Sequence, residues 1–220
     1  MGIKHMIENF FQKVLVLKTI PRQGWKEKLD IGYENLEWAE TGERLTERTF
    51  AEYREIDGMV IMHSMQQDLV DMAVMSPLTA IASDGYINKG KGHPRTAGCY
   101  SKVLGDYVRR SNGLSLIEAL RKTSLMPAER LESLAPAFKN KGRIKIGADA
   151  DIIVFDKDKL SDRSTYQNPT LPPEGMKYVF VNGVGVIING EPQVNQMPGK
   201  GIRSNSVSYT HLTLPTNREV

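Results

Sequence analysis

Apolar positions along this chain come in short runs separated by polar stretches. Residues 10–20 lean apolar but are broken by Gln12, Lys13 and Lys18. Residues 6–16 fit a helix and residues 14–17 fit a strand, and so short a run lets periodicity favour neither. Residues 21–36 scatter Gly, Trp and charge and read as irregular; residues 37–45 are polar around one large aromatic, Trp38. Thr46 followed by Glu47 predicts an N-cap and a helix over 47–56. Residues 58–63, Gly-Met-Val-Ile-Met-His, predict a buried strand. An amphipathic helix follows over 66–75, with Leu69, Met72 and Ala73 on one face. Residues 79–82 predict a second buried strand, stopped by Ser83-Asp84-Gly85. Strand, helix and strand joined by a short crossover predict neighbouring parallel strands.

Further on, residues 100–110 predict a helix with Val103, Leu104, Tyr107 and Val108 as its buried stripe, ended by Gly113. Ser115 caps a helix over 116–122, with Glu118 completing a capping box. Pro127 opens a third helix, over 128–134. Near Lys139 the pattern changes to short β runs at 142–147, 150–155 and 176–181. Asn182-Gly183 is a hairpin signal that returns the chain along 184–188. This second region reads as a separate sheet packed on the helical part. No internal repeat or low-complexity tract is present.

Composition narrows the function classes. Hydrophobic residues are 40% and charged residues 25% of 220, a globular balance. The formal net charge is only +3 and the basic residues form no stripe, which excludes an electrostatic footprint for nucleic acid. A single cysteine, Cys99, rules out an intrachain disulfide and a cysteine-built zinc site, and fits a reducing compartment. The segment 10–20 is too short and too charged to span a membrane and lacks a signal-peptide cleavage pattern. The expected location is cytoplasmic.

The chemistry concentrates at Asp84 and the loop leading to His93-Pro94-Arg95. A carboxylate at the end of a strand in an α/β fold takes up a proton or binds a cation. An arginine grips a planar anion through two parallel hydrogen bonds. The plainer reading is ordinary turn chemistry for Asp84-Gly85 and a solvated loop arginine.

Three stretches carry a family resemblance. They are Ser83-Asp84-Gly85 with His93-Pro94-Arg95 and Val103-Leu104-Gly105, then Met126-Pro127-Ala128, then residues 141–155 with Asp162-Arg163, Tyr166, Val181-Asn182-Gly183 and Pro198-Gly199. Together they resemble the C-terminal part of an N-acyl-D-amino-acid deacylase (D-aminoacylase) of the amidohydrolase superfamily, from about Trp25 to Arg203. The resemblance implies an α/β fold: the C-terminal part of a metal-dependent (β/α)8 barrel over 1–138, and part of a small β-sandwich domain over 139–205. It implies hydrolysis of the amide bond of small N-acyl-D-amino acids by a zinc-activated water. Asp84 takes the role of general base and possible metal ligand, and Arg95 that of the clamp on the substrate carboxylate. A cyclic-amide or dipeptide amidohydrolase is the alternative within the class, and a non-catalytic truncated chain the alternative outside it. Oligomeric state is not implied.

The same resemblance requires a His-x-His pair, a bridging ligand and two further histidines. The four histidines here, His5, His63, His93 and His211, supply none of these patterns. Cys99 follows Asp84 and does not match the family's early bridging cysteine. The expectation is therefore a C-terminal fragment without a metal cage, inactive alone. His63, closing its strand, reads as a polar residue satisfied by neighbouring backbone. His93 reads as shaping the loop that aims Arg95. Trp25 and Trp38 read as packing rather than pocket walls, and Asp149 and Asp151 as turn and edge residues. Residues 207–216 resemble a translated sequencing adapter, so 206–220 are set aside as non-biological, His211 among them.

Overall fold

In the computed structural model the residues described are 14–17, 20, 23–56 and 58–204. Residues 6–13 of the segment 6–16 that fits a helix, and the adapter-like tail, lie outside them. Val14–Val16 forms strand β1, settling that ambiguity for these residues. The stretch expected to be irregular is ordered: α1 (Trp25–Leu29), a 3-10 turn (Tyr33–Asn35) and β2 (Leu36–Trp38). Helix α2 (Glu47–Tyr53) starts as predicted, with Thr46 Oγ1 accepting from Thr49 N–H. Strand β3 (Met59–Met62) is buried along its whole length.

These strands form a sheet in the order β1-β3-β2, antiparallel throughout. Leu17, Trp25, Leu36, Trp38, Phe50 and Val60 fill one core against it. Both tryptophans are packing residues, each 3% exposed. Helix α3 (Gln67–Met75) follows, but Met72 is 64% exposed and Val74 turns to the core instead.

The second predicted strand, 79–82, does not form, so the expected parallel pair is absent among the described residues. Only Ile81 of the run is buried. Its backbone polar groups go to Lys122 instead of a sheet: Ile81 N–H donates to Lys122 O at 2.9 Å, and Lys122 Nζ donates to Thr79 O. A small hairpin, β4 (Ile87–Asn88) and β5 (Lys91–Gly92), leads to α4 (Arg95–Lys102). That helix runs on into a π-helical stretch, Val103–Arg110. Val103, Leu104 and Tyr107 are buried in a second core with Leu114, Ala119 and Leu160. Asn112, left-handed at φ 51°, turns the chain after the helix; the expected terminator Gly113 has no such φ.

Ser115 Oγ accepts from Glu118 N–H as predicted, while the Glu118 carboxylate pairs with Arg121 instead of completing a box. Helix α5 (Leu116–Leu120) then continues through a π-helical turn (Arg121–Leu125) into α6 (Met126–Leu131). Pro127 therefore sits inside one continuous helix. The wider turn before it, in which Met126 N–H bonds to Arg121 O, adjusts the backbone next to the residue that has no N–H.

Residues 142–147 are not a strand. Gly142 and Gly147 adopt φ 69° and 82°, and Ile144 and Ile146 are fully exposed. A four-stranded antiparallel sheet follows: β6 (Ile152–Phe155), β7 (Met176–Val181), β8 (Val184–Ile188) and β9 (Glu191–Pro192). Asn182 and Gly183, at φ 48° and 78°, make the predicted hairpin turn. Lys141 Nζ bridges Asp149 and Asp151 at 3.0 and 2.5 Å, and Asp151 also accepts Asn182 N–H at 2.8 Å, so the two acids pin the sheet's entry. No helix among the described residues is long and apolar enough to cross a membrane.

Candidate active site

Asp84 lies on an extended loop, with its backbone left-handed at φ 45°, a region aspartate tolerates. Arg95 is the first residue of α4. The two meet twice: Arg95 Nη2 donates to Asp84 Oδ2 at 2.6 Å, and Arg95 Nε donates to Asp84 O at 3.0 Å. The Asp84 side chain is 67% exposed and that of Arg95 15%. Gly85 lets the loop pass this close to the helix, because a Cβ there would lie 2.8 Å from Thr96 Cα. The residues predicted as base and clamp are thus adjacent, Asp84 on a loop instead of a strand end and Arg95 at the start of α4. Cys99, one turn into the helix, donates from Sγ to Ala82 O at 3.7 Å, and burial pushes its thiol pKa up.

A second cluster adjoins this pair. His93 is buried, and its Nδ1 accepts Arg95 N–H at 3.0 Å. That bond places the ring proton on Nε2, which faces Tyr166 Oη at 3.4 Å. Burial first, then the Arg95 and His63 charges, push the His93 pKa down to about 3. His63 follows β3. Its backbone N–H donates to Asn35 O, and its carbonyl accepts from Asn35 Nδ2. Its ring, expected to be satisfied by neighbouring backbone, meets a side chain instead: Nε2 lies 2.9 Å from Oε2 of the buried Glu37. Burial, then Arg44, lower the His63 pKa against the pull of Glu37. The Tyr166 ring packs against both imidazoles, with centroids 4.9 Å from His63 and 5.2 Å from His93.

Glu37 and Tyr166 were not singled out as site residues from sequence. The signals were faint: an acid between two apolar residues in Leu36-Glu37-Trp38, and one aromatic in the polar run 161–168. Among the described residues no three His, Cys, Asp or Glu side chains converge to hold a metal ion.

No family model matches the chain. It is 36% identical over 146 residues to the N-acyl-D-glutamate deacylase of Alcaligenes xylosoxydans xylosoxydans, a match covering 66% of this chain and 28% of that protein. To the D-aminoacylase of the same organism it is 33% identical over 108 residues, covering 49% and 21%. Its fold matches the crystal structure of the N-acyl-D-glutamate deacylase from Bordetella bronchiseptica, complexed with zinc and a phosphonate inhibitor that mimics the reaction's tetrahedral intermediate. The TM-score is 0.64 at 28% identity, covering 82% of this chain and 39% of that one. The chain therefore spans less than half the length of each of these relatives. Within that span, sequence and fold agree in their likeness to the N-acyl-D-amino-acid deacylases, the D-aminoacylase group of the amidohydrolases.

Proposed function

We propose that the chain supplies the general base and the substrate clamp of an enzyme that hydrolyses the amide bond of small N-acyl-D-amino acids. The observation that carries this reading is the contact between Asp84 on its loop and Arg95 at the start of α4, at a distance of 2.6 Å. Asp84 presents an exposed carboxylate, able to take a proton from the attacking water and deliver it to the departing nitrogen as the C–N bond breaks. Arg95 offers a planar guanidinium to the substrate's α-carboxylate. A carboxylate docked there competes with Asp84 for the guanidinium, so substrate binding and release of the base are coupled.

Zinc is the metal of the relative's structure and the one proposed for the whole protein. The described residues do not fit it. No three donors converge, and the His63 and His93 rings already engage Glu37 and the Arg95 amide. The metal ligands are assigned to the part of the relatives' length that this chain does not span, and the chain alone is inactive. The same reading makes residues up to 138 the later part of a (β/α)8 barrel and residues 139–205 a segment of the small β domain.

The test is a chimera in which this chain replaces the matching segment of an N-acyl-D-glutamate deacylase. With zinc, release of free D-glutamate is expected. Asp84→Asn should lower kcat by about a thousandfold, within the range for a lost general base. Arg95→Ala should raise KM by roughly fifty-fold, as for loss of a charged hydrogen-bonded pair. Turnover indifferent to Asp84→Asn would sink the assignment. The 220-residue chain by itself should take up no stoichiometric zinc in a titration followed by calorimetry.

A further inference from the structure

We propose that His93 and Tyr166 are positioning residues for Arg95, held in place by a brace formed by residues 162–166. The proposal rests on reading Arg95 as the carboxylate clamp. The first N–H groups of a helix have no acceptor within it. In α4 those of Thr96, Ala97 and Gly98 bond to His93 O, Pro94 O and Pro94 O at 3.1, 3.1 and 3.0 Å. The Arg95 N–H bonds to the His93 ring instead, at Nδ1. The orientation of that imidazole therefore sets where the helix begins and where the arginine leaves it.

The imidazole is itself fixed. Its Nε2 faces the Tyr166 hydroxyl, and the tyrosine ring meets it edge-on. Tyr166 also packs against His63, which Glu37 holds. The segment carrying Tyr166 is tied to the same helix turn. Ser164 Oγ lies 2.9 Å from Pro94 O and 2.6 Å from Asp162 Oδ1, and Asp162 Oδ1 accepts Ser164 N–H at 2.8 Å. The Asp162 carboxylate covers Gly98 so closely that a Cβ there would come within 2.1 Å of Oδ1. Asp84 thus holds the guanidinium end of Arg95 while the brace holds its backbone end. An arginine side chain loses much rotamer freedom when it is fixed, so a clamp anchored at one end alone would bind an anion more weakly.

Hydrogen exchange of the Arg95 Nε–H, read by NMR in the full 220-residue chain, tests this, with the Val60 amide of the core strand as reference. His93→Leu and His93→Gln remove the acceptor at the Nδ1 position; His93→Asn keeps an oxygen there. In His93→Gln, His93→Leu and Tyr166→Ala the Arg95 Nε–H should exchange about fivefold faster, the factor for one lost hydrogen bond, with Val60 unchanged. His93→Asn should restore the slow exchange. If Tyr166→Ala or His93→Leu fails to fold, the contrast between His93→Gln and His93→Asn decides alone. Slow Arg95 exchange in His93→Gln, or equal acceleration at Arg95 and Val60, overturns the proposal. The readout needs neither substrate nor metal. A deacylase reading that fails in the chimera leaves this result intact, and failure here leaves what the chimera shows about Asp84 intact.

Discussion

Arg95 and Asp84 are joined by a 2.6 Å ion pair although one side chain is nearly buried and the other two-thirds exposed. Pairs open to water on one side contribute little to stability, because solvent and salt screen them. Asp84→Asn is therefore expected to change the unfolding free energy by less than about 1 kcal/mol. Urea unfolding of the two chains measures it. A loss well above that value would make the pair a structural clasp and weaken its reading as a base waiting beside a clamp.

Gly85 gives the loop its closeness to α4. A methyl group there meets backbone, Thr96 Cα at 2.8 Å, so the loop must move. Gly85→Ala should cost about 1–3 kcal/mol, as overpacking does. It should also break the contact between Arg95 Nε and Asp84 O, visible as faster exchange of the Arg95 Nε–H.

Lys122 is completely buried, with Nζ bonded to Ser76 O, Thr79 O and Thr79 Oγ1 just beyond the end of α3. Burial lowers its pKa. Lys122→Met strands these acceptors and releases the extended run 79–82 that leads to Asp84. A loss of about 2–4 kcal/mol is expected, from unsatisfied buried acceptors and the lost charge-assisted bonds. A urea titration with an unchanged m-value would confirm that the loss is in the native state.

Local chemistry was readable in the sequence and tertiary chemistry was not. Thr46 and Ser115 announced their helices because a cap is made within three residues. Asn182-Gly183 announced its hairpin because the turn needs two positive φ angles. Residues 79–82 looked like a strand because they are apolar, yet a strand needs a neighbour, and here Lys122 from a distant helix takes the backbone groups. Pro127 looked like a helix start because the π-helical turn that accommodates it has no sequence signature known to the eye. Asp84 and Arg95 were singled out through resemblance, but their contact with each other was not foreseen. Glu37 and Tyr166 were not, since packing alone brings β2 and the run 161–168 to the two histidines.

The burial of His93 beside Arg95 also predicts a pH dependence. In the unfolded chain an imidazole takes up its proton near pH 6.5, whereas folded His93 does so only near 3. Between those values the unfolded state binds more protons than the native state, so stability is complete above about pH 6.5 and declines as pH falls toward 3. The His93 share of the slope approaches about 1.4 kcal/mol per pH unit, and His63, shifted in the same direction, adds to it. Carboxylates enter only at the acid end, which makes pH 6.5 to 4.5 the informative window. Urea midpoints should fall across it in the native chain and fall less in His93→Asn. Equal slopes in the two chains would mean that His93 is protonated in the folded state, with its Nδ1 no longer an acceptor for Arg95.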